Sequence, residues 1–364
     1  MLDLPDLVEY DENGQLKIES WHQNGELHRE GDLPAEIYYY SNGQPSTKAW
    51  YKNGKLYRVN LPAEIQYYDN GNLHTQIWYK NGKLHREGDL PAIIEYYKNG
   101  QLFRETWYKG GKCYREGDLP GDICYYDNGH PKVQNWVKND LWHRENDLPA
   151  IIFYYRNGKL GSETWYKKGK SHREGDLPAV IGYYENGQPK RQSWHKNGNY
   201  YREGDLPTIT EYYKKGQTKI ESWYHNEHRK GDLPTVIEYY NNGQLKTQTW
   251  YEGVHKYREG DLPAQIEYYD NGKIEKESWY QNDKLHRVNF PAEITYYENG
   301  QIEKETWYES GKLHRERDLP ALIYYYSDGK PYRKSWYKSG KLHREGDLPA
   351  EILYDENGKM LFYN

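Results

Sequence analysis

An all-β fold of tandem β-hairpins, forming an elongated and twisted antiparallel sheet, is predicted by three observations. Twelve tryptophans recur in one register: Trp21, Trp50, Trp78, Trp107, Trp136, Trp165, Trp194, Trp223, Trp250, Trp279, Trp307 and Trp336. Between them, short runs of Ile, Tyr and Trp flank Asn-Gly pairs, which favour hairpin turns. Gly and Pro punctuate the chain too often for a helix, and no helical periodicity is present. The tryptophan spacing is 29 residues, with two intervals of 28 and one of 27. Such a period marks an array whose units lean on their neighbours, not a globule around one pocket. The sequence therefore reads as a single array over 1–364. Its twelve units of 27–29 residues span 4–347, and a partial capping unit covers 348–364.

Each element of the unit follows from its residues. In the copy from Leu262, Leu262-Pro263 opens the first strand, where a proline lacking an N–H does no harm. Ala264 to Tyr269 forms that strand, Asn271-Gly272 the turn, and Ile274 to Tyr280 the second strand. A two-residue Asn271-Gly272 loop would pair Ile266 with Glu277 and Glu267 with Lys276. A three-residue loop with a bulge at Gly272 would set Glu267 against Glu275, a like-charge pair costing roughly 0.2–1 kcal/mol. The two-residue turn is therefore expected. One face should then carry Ala, Ile, the first Tyr and Trp. A second turn follows each Trp, as in Tyr79-Lys80-Asn81-Gly82-Lys83-Leu84. The short intervals arise at Arg58-Val59-Asn60-Leu61-Pro62, at Arg287-Val288-Asn289-Phe290-Pro291 and in 224–229, all of them turns. About 25 strands at roughly 4.8 Å each would make a rod on the order of 120 Å. Only its end strands would have free edges for self-association.

Composition narrows the class. Of 364 residues, 42 are Tyr and 13 Trp against 4 Phe and 2 Met, so the core must be built from amphipathic rings with wet edges. Net charge is −5 with both signs interspersed, which argues against nucleic-acid binding. Two cysteines, Cys113 and Cys124, offer no repeated disulfide framework. The chain has no basic-then-apolar leader and no window of 18 apolar residues, so an intracellular location is expected, neither secreted nor transmembrane.

Segments such as Trp78-Tyr79-Lys80-Asn81-Gly82-Lys83-Leu84-His85-Arg86 and Tyr296-Tyr297-Glu298-Asn299-Gly300-Gln301 resemble the MORN repeat. The match is to the variant in which two half-repeats alternate, similar to repeats of antitoxin-like bacterial proteins and of giant-virus repeat families. The resemblance covers essentially the whole chain. It implies serial hairpins and a scaffolding or binding role. The family's His-Gly is His-Arg or Tyr-Arg here.

That arginine recurs in every unit: Arg29, Arg58, Arg86, Arg115, Arg144, Arg173, Arg202, Arg229, Arg258, Arg287, Arg315 and Arg344. It suits an ion-pair ladder to the Glu or Gln two residues before Trp, or to the Asp of Gly-Asp-Leu-Pro. The alternative is a row of cations for an acidic partner or phosphoinositide head groups, with Arg86, Arg115, Arg144, Arg173 and Arg202 as its centre. Histidine precedes the arginine in eight units (His28, His85, His143, His172, His228, His286, His314, His343). Successive copies would stand roughly 9–10 Å apart, too far for one His per unit to share a metal, so no metal or cofactor is expected. Trp142 lies outside the register and is a candidate exposed anchor. No nucleophile elbow, phosphate loop or zinc motif occurs, and the repetition supplies a surface where catalysis needs one unique constellation. The sequence thus predicts a non-enzymatic scaffold with a protein partner and self-association through its end strands. The alternatives are a peripheral membrane binder and an antitoxin-like inhibitor.

Overall fold

The computed structural model describes residues 3–224, 229, 232–346 and 348–363, with side chains to residue 361. No helix occurs among them, and 26 main strands of four or five residues pair antiparallel in hairpin order. The chain forms two compact units. The first comprises Met1–Gln188 with His195–Asn199, and its strands run from Leu7–Tyr10 to Val180–Tyr183. The second comprises Pro189–Trp194 with Tyr200–Asn364, and its strands run from Pro189–Ser193 to Met360–Tyr363. In the partial unit 348–364, Met360–Tyr363 pairs with Glu351–Tyr354 as a last hairpin.

The expected register holds, but the first turn is built differently. Gln265 pairs with Ser278, Ile266 with Glu277 and Glu267 with Lys276, and then the ladder slips so that Tyr268 faces Ile274. The Tyr269 N–H donates to Lys273 O, and the Gly272 N–H donates to Tyr269 O. The loop is thus three residues, Asp270-Asn271-Gly272, and only Gly272 is left-handed (φ 84°). The slip leaves Glu275 unpaired, which offsets the longer loop and keeps Glu267 opposite Lys276. The asparagine is there for its side chain. In the equivalent turn the Asn42 carboxamide accepts from the Gln44 N–H and donates to Asp69 O in the next repeat.

The two-residue Asn-Gly turn exists in the other hairpin. Tyr79–Lys80 pairs with Lys83–Leu84, and both Asn81 (φ 51°) and Gly82 (φ 72°) are left-handed. This is the turn whose twist matches a tight ribbon. Eleven such two-stranded ribbons occur among the described residues. The shortened turn at 225–228 lies outside them.

Tryptophan joins the two hairpins of a repeat. Each main-chain N–H of the twelve donates to the next repeat, as Trp165 does to Ala179 O at 2.8 Å, and Trp165 O accepts from the His172 N–H. All twelve indoles are buried, with the facing Ala35, Ala63, Ala92, Ala150, Ala179, Ala292 and Ala321 at 0 % exposure. The predicted face is realised in the cluster of Trp307, Ala321 and Ile323 with Tyr325 and Tyr337.

Candidate interaction surface

The arginine row is occupied within the array. In all twelve repeats the guanidinium carbon lies 3.5–4.0 Å from the Trp ring centroid, from Arg29 on Trp21 to Arg344 on Trp336. Nη1 donates to the carbonyl of the following proline, as Arg144 does to Pro149 at 3.2 Å. The remaining edge clasps the aspartate of the preceding repeat. Arg144 meets both carboxylate oxygens of Asp118 at 2.7 Å, and Arg58 does the same with Asp32 at 2.7 and 3.0 Å. Of the five central residues, Arg115, Arg144 and Arg173 hold this pair, while Arg86 holds none among the described residues. Arg202 stacks on Trp194 and donates to Pro207 O. Stacking and a two-pronged carboxylate contact need a planar fork, which explains Arg over Lys at this place.

Of the two acceptors open to arginine in the sequence, the structure uses the aspartate. The Glu or Gln two residues before Trp receives a tyrosine hydroxyl instead. Tyr125 donates to Glu105 and Tyr183 to Glu163, both at 2.7 Å, and Tyr325 bonds Glu305. Where the sequence breaks the rule with Lys48 and Lys334, the ammonium sits 5.6 and 5.4 Å from the rings of Tyr67 and Tyr354, so a cation–π contact replaces the hydrogen bond. The second tyrosine ties one repeat to the next within a unit, as Tyr97 does to Tyr125 O at 2.8 Å.

These contacts give stability a two-sided pH dependence. Hydrogen bonds from arginine hold Asp32, Asp118, Asp232 and Asp261 below the ordinary 3.8. A depressed folded value stabilises fully above the unfolded one and is lost as pH falls through it. Burial, then the bond to glutamate, raises Tyr39, Tyr125, Tyr183, Tyr239, Tyr296 and Tyr325 above the ordinary 10.0. Here the unfolded chain ionises first, so stability falls as pH rises past about 10. Melting temperature against pH should show a plateau that drops on both sides, and Glu105→Gln should soften the alkaline drop. A flat profile up to about pH 11 would contradict the tyrosine contribution.

The histidines also act between repeats. Nδ1 accepts from a turn N–H of the next repeat, as in Asn197 to His172 at 3.2 Å, and Nε2 faces a glutamate two residues on, 3.0 Å away at Glu174. His228 lies outside the described residues. In several repeats a lysine bridges to that glutamate, as Lys167 does to Glu174 at 2.8 Å. One repeat carries Glu309 at the lysine position, so Glu309, His314 and Glu316 bring ligand atoms within 4.8 Å of one another. The distance argument against metals applies between repeats, and this group lies within one. Both of its glutamates are well exposed, so nothing encloses an ion there. Trp142 is 44 % exposed and packs against Tyr166 of the next repeat at 5.1 Å between ring centroids.

The exposed feature that recurs in every repeat is the residue before proline. Leu33, Leu61, Leu90, Leu119, Leu148, Leu177, Leu206, Leu233, Leu262, Phe290 and Leu319 are all 38–54 % exposed. Leu90 and Leu119 edge clefts of about 240 and 250 Å³, whose other walls include Arg86, Trp107 and Arg115 in one and Arg115, Trp136 and Arg144 in the other. In the sequence this leucine reads only as the residue that, with proline, opens the first strand. The signal was present: a large apolar side chain kept in a polar turn of every repeat.

Fold and surface together define a tandem β-hairpin repeat protein. Residues 264–282 and 292–306 match the family model described as a MORN repeat variant, so these two adjacent repeats bear out the resemblance read in the sequence. No curated protein matches the chain. Among solved structures, it is similar to the crystal structure of TcdB2-TccC3 at 12 % identity, covering 99 % of this chain and 23 % of that chain with a TM-score of 0.14. It is also similar to that of TcdB2-TccC3-Cdc42 at 11 % identity, covering 97 % and 23 % with a TM-score of 0.12. The chain thus spans less than a quarter of those chains' length.

Proposed function

We propose that the chain is a non-catalytic scaffold that binds a partner protein along its leucine row. The observation that carries this reading is one half-exposed leucine or phenylalanine per repeat, at one place, from Leu33 to Leu319. A repeated row of exposed apolar side chains with a charged rim suits a protein contact surface. The phosphoinositide alternative draws less support, because the paired guanidiniums are already engaged by tryptophan, aspartate and a proline carbonyl. Their side chains are only 10–17 % exposed.

Leu90→Glu, Leu119→Glu and Leu148→Glu in one chain should leave the melting temperature within a few degrees, since no core contact is removed. Partners that co-precipitate with the wild-type chain from its native lysate should be lost. Unchanged recovery of the same partners would place binding elsewhere on the molecule.

A further inference from the structure

Two repeats lack the aspartate that the arginine of the following repeat requires. Both are the 28-residue copies, reading Arg58-Val59-Asn60-Leu61 and Arg287-Val288-Asn289-Phe290. The next arginines, Arg86 and Arg315, still stack on Trp78 and Trp307 at 3.7 Å and still donate to Pro91 O and Pro320 O. Neither has an ion-pair partner among the described residues, whereas nine of the other arginines hold an aspartate at 2.5–3.2 Å. Burial pulls Arg86 and Arg315 below the ordinary arginine range, and nearby Glu105 and Glu305 offset this only in part. In these repeats the buried indole N–H of Trp78 and Trp307 also has no acceptor among the described residues. Trp50 and Trp107 spend theirs on the backbone carbonyls of Asp32 and Asp89. Four other indoles share that lack, so the guanidinium edge is what sets these two repeats apart.

The place is open to solvent. The aspartates that fill it elsewhere are themselves 37–58 % exposed while held. Its rim is more apolar than in other repeats, because Val59 and Val288 are 63 % and 67 % exposed beside Leu61 and Phe290. We infer that Arg86 and Arg315 form two carboxylate-binding slots, each taking an Asp side chain, with an apolar neighbour, from an acidic segment of a partner protein. The ligand class is set by the chain itself, which supplies that carboxylate from Gly-Asp-Leu-Pro at the equivalent places. This extends the leucine-row reading and is tested apart from it.

The probe is the end-blocked hexapeptide Glu-Gly-Asp-Leu-Pro-Ala, copied from residues 87–92, titrated into the full chain while its Arg Nε–H resonances are followed. Two of these signals, assigned by Arg86→Lys and Arg315→Lys, should shift saturably at millimolar peptide. The Asn-for-Asp peptide should bind at least tenfold more weakly. Asn60→Asp with Asn289→Asp should weaken the response by filling the slots from within, and the two lysine variants together should abolish it. No saturable shift up to about 10 mM, or an equal response to the Asn peptide, would overturn the slots. So would an undiminished response in the double lysine variant. Loss of partner recovery in the leucine variant would be unaffected by that failure, so the two readings fall separately.

Discussion

Trp165→Ala should cost about 3–5 kcal/mol, the largest loss expected of any single substitution in the array. The ring is 6 % exposed, faces Ala179 across the repeat boundary, and donates its indole N–H to Asp147 O at 3.0 Å. Removing it deletes a large buried aromatic surface. It also leaves Arg173, which stacks at 3.8 Å, over a void. Neighbouring alanines cannot fill the gap, because small residues were matched to the large ring. The damage should stay local, since stability in such arrays is a sum of repeat and neighbour terms. Hydrogen exchange should therefore accelerate in the repeats around Trp165 while Trp21 and Trp50 keep their protection. The melt should broaden or split, as expected once two-state behaviour fails. A single sharp transition at the wild-type temperature would remove tryptophan from the core.

Much of this was legible because repetition does the work of many independent observations. Twelve tryptophans in one register marked the repeats, and the cost of setting Glu267 against Glu275 chose the correct register from one repeat. The same argument missed how the register is reached. Opposing charges report which residues face one another, and a three-residue loop plus an extra unpaired residue gives the same facing as a two-residue loop. Asn-Gly marked both turns truthfully for different reasons: a left-handed backbone at Asn81, a side-chain hydrogen bond at Asn42. Arginine's partner was undetermined, since carboxylates recur at two places in each repeat and both lie at plausible distances along the chain. Only three dimensions show that Tyr125 claims Glu105 and leaves Asp89 for Arg115. The leucine row was overlooked for another reason. Hydrophobic patterning assigns apolar residues to the core by default, and exposure is a property of the folded surface.

Arg144→Ala should be the second largest effect, at about 2–4 kcal/mol, in excess of what a surface ion pair supports. A simple surface bridge contributes less than about 1 kcal/mol, and Asp118 alone would justify no more. The guanidinium also covers Trp136 at 3.8 Å and satisfies Pro149 O at 3.2 Å, with its side chain 13 % exposed. Truncation therefore uncovers the indole face and strands a carbonyl that no other side chain reaches among the described residues. Arg144→Lys separates the parts. The charge survives, but the fork that contacts Asp118 and Pro149 together does not, so roughly half of the loss should remain. The comparison with Arg86 is the sharper test. Arg86→Ala removes the same stacking and the same proline contact with no aspartate involved. Its cost should thus fall short of the Arg144→Ala cost by about the worth of one half-exposed carboxylate pair, on the order of 0.5–1 kcal/mol. Asp118→Asn should then reproduce that difference on its own in denaturant melts. If Arg86→Ala proved the costlier of the two, the carboxylate would be no asset to the stack, and the guanidinium–indole contact alone would carry the row.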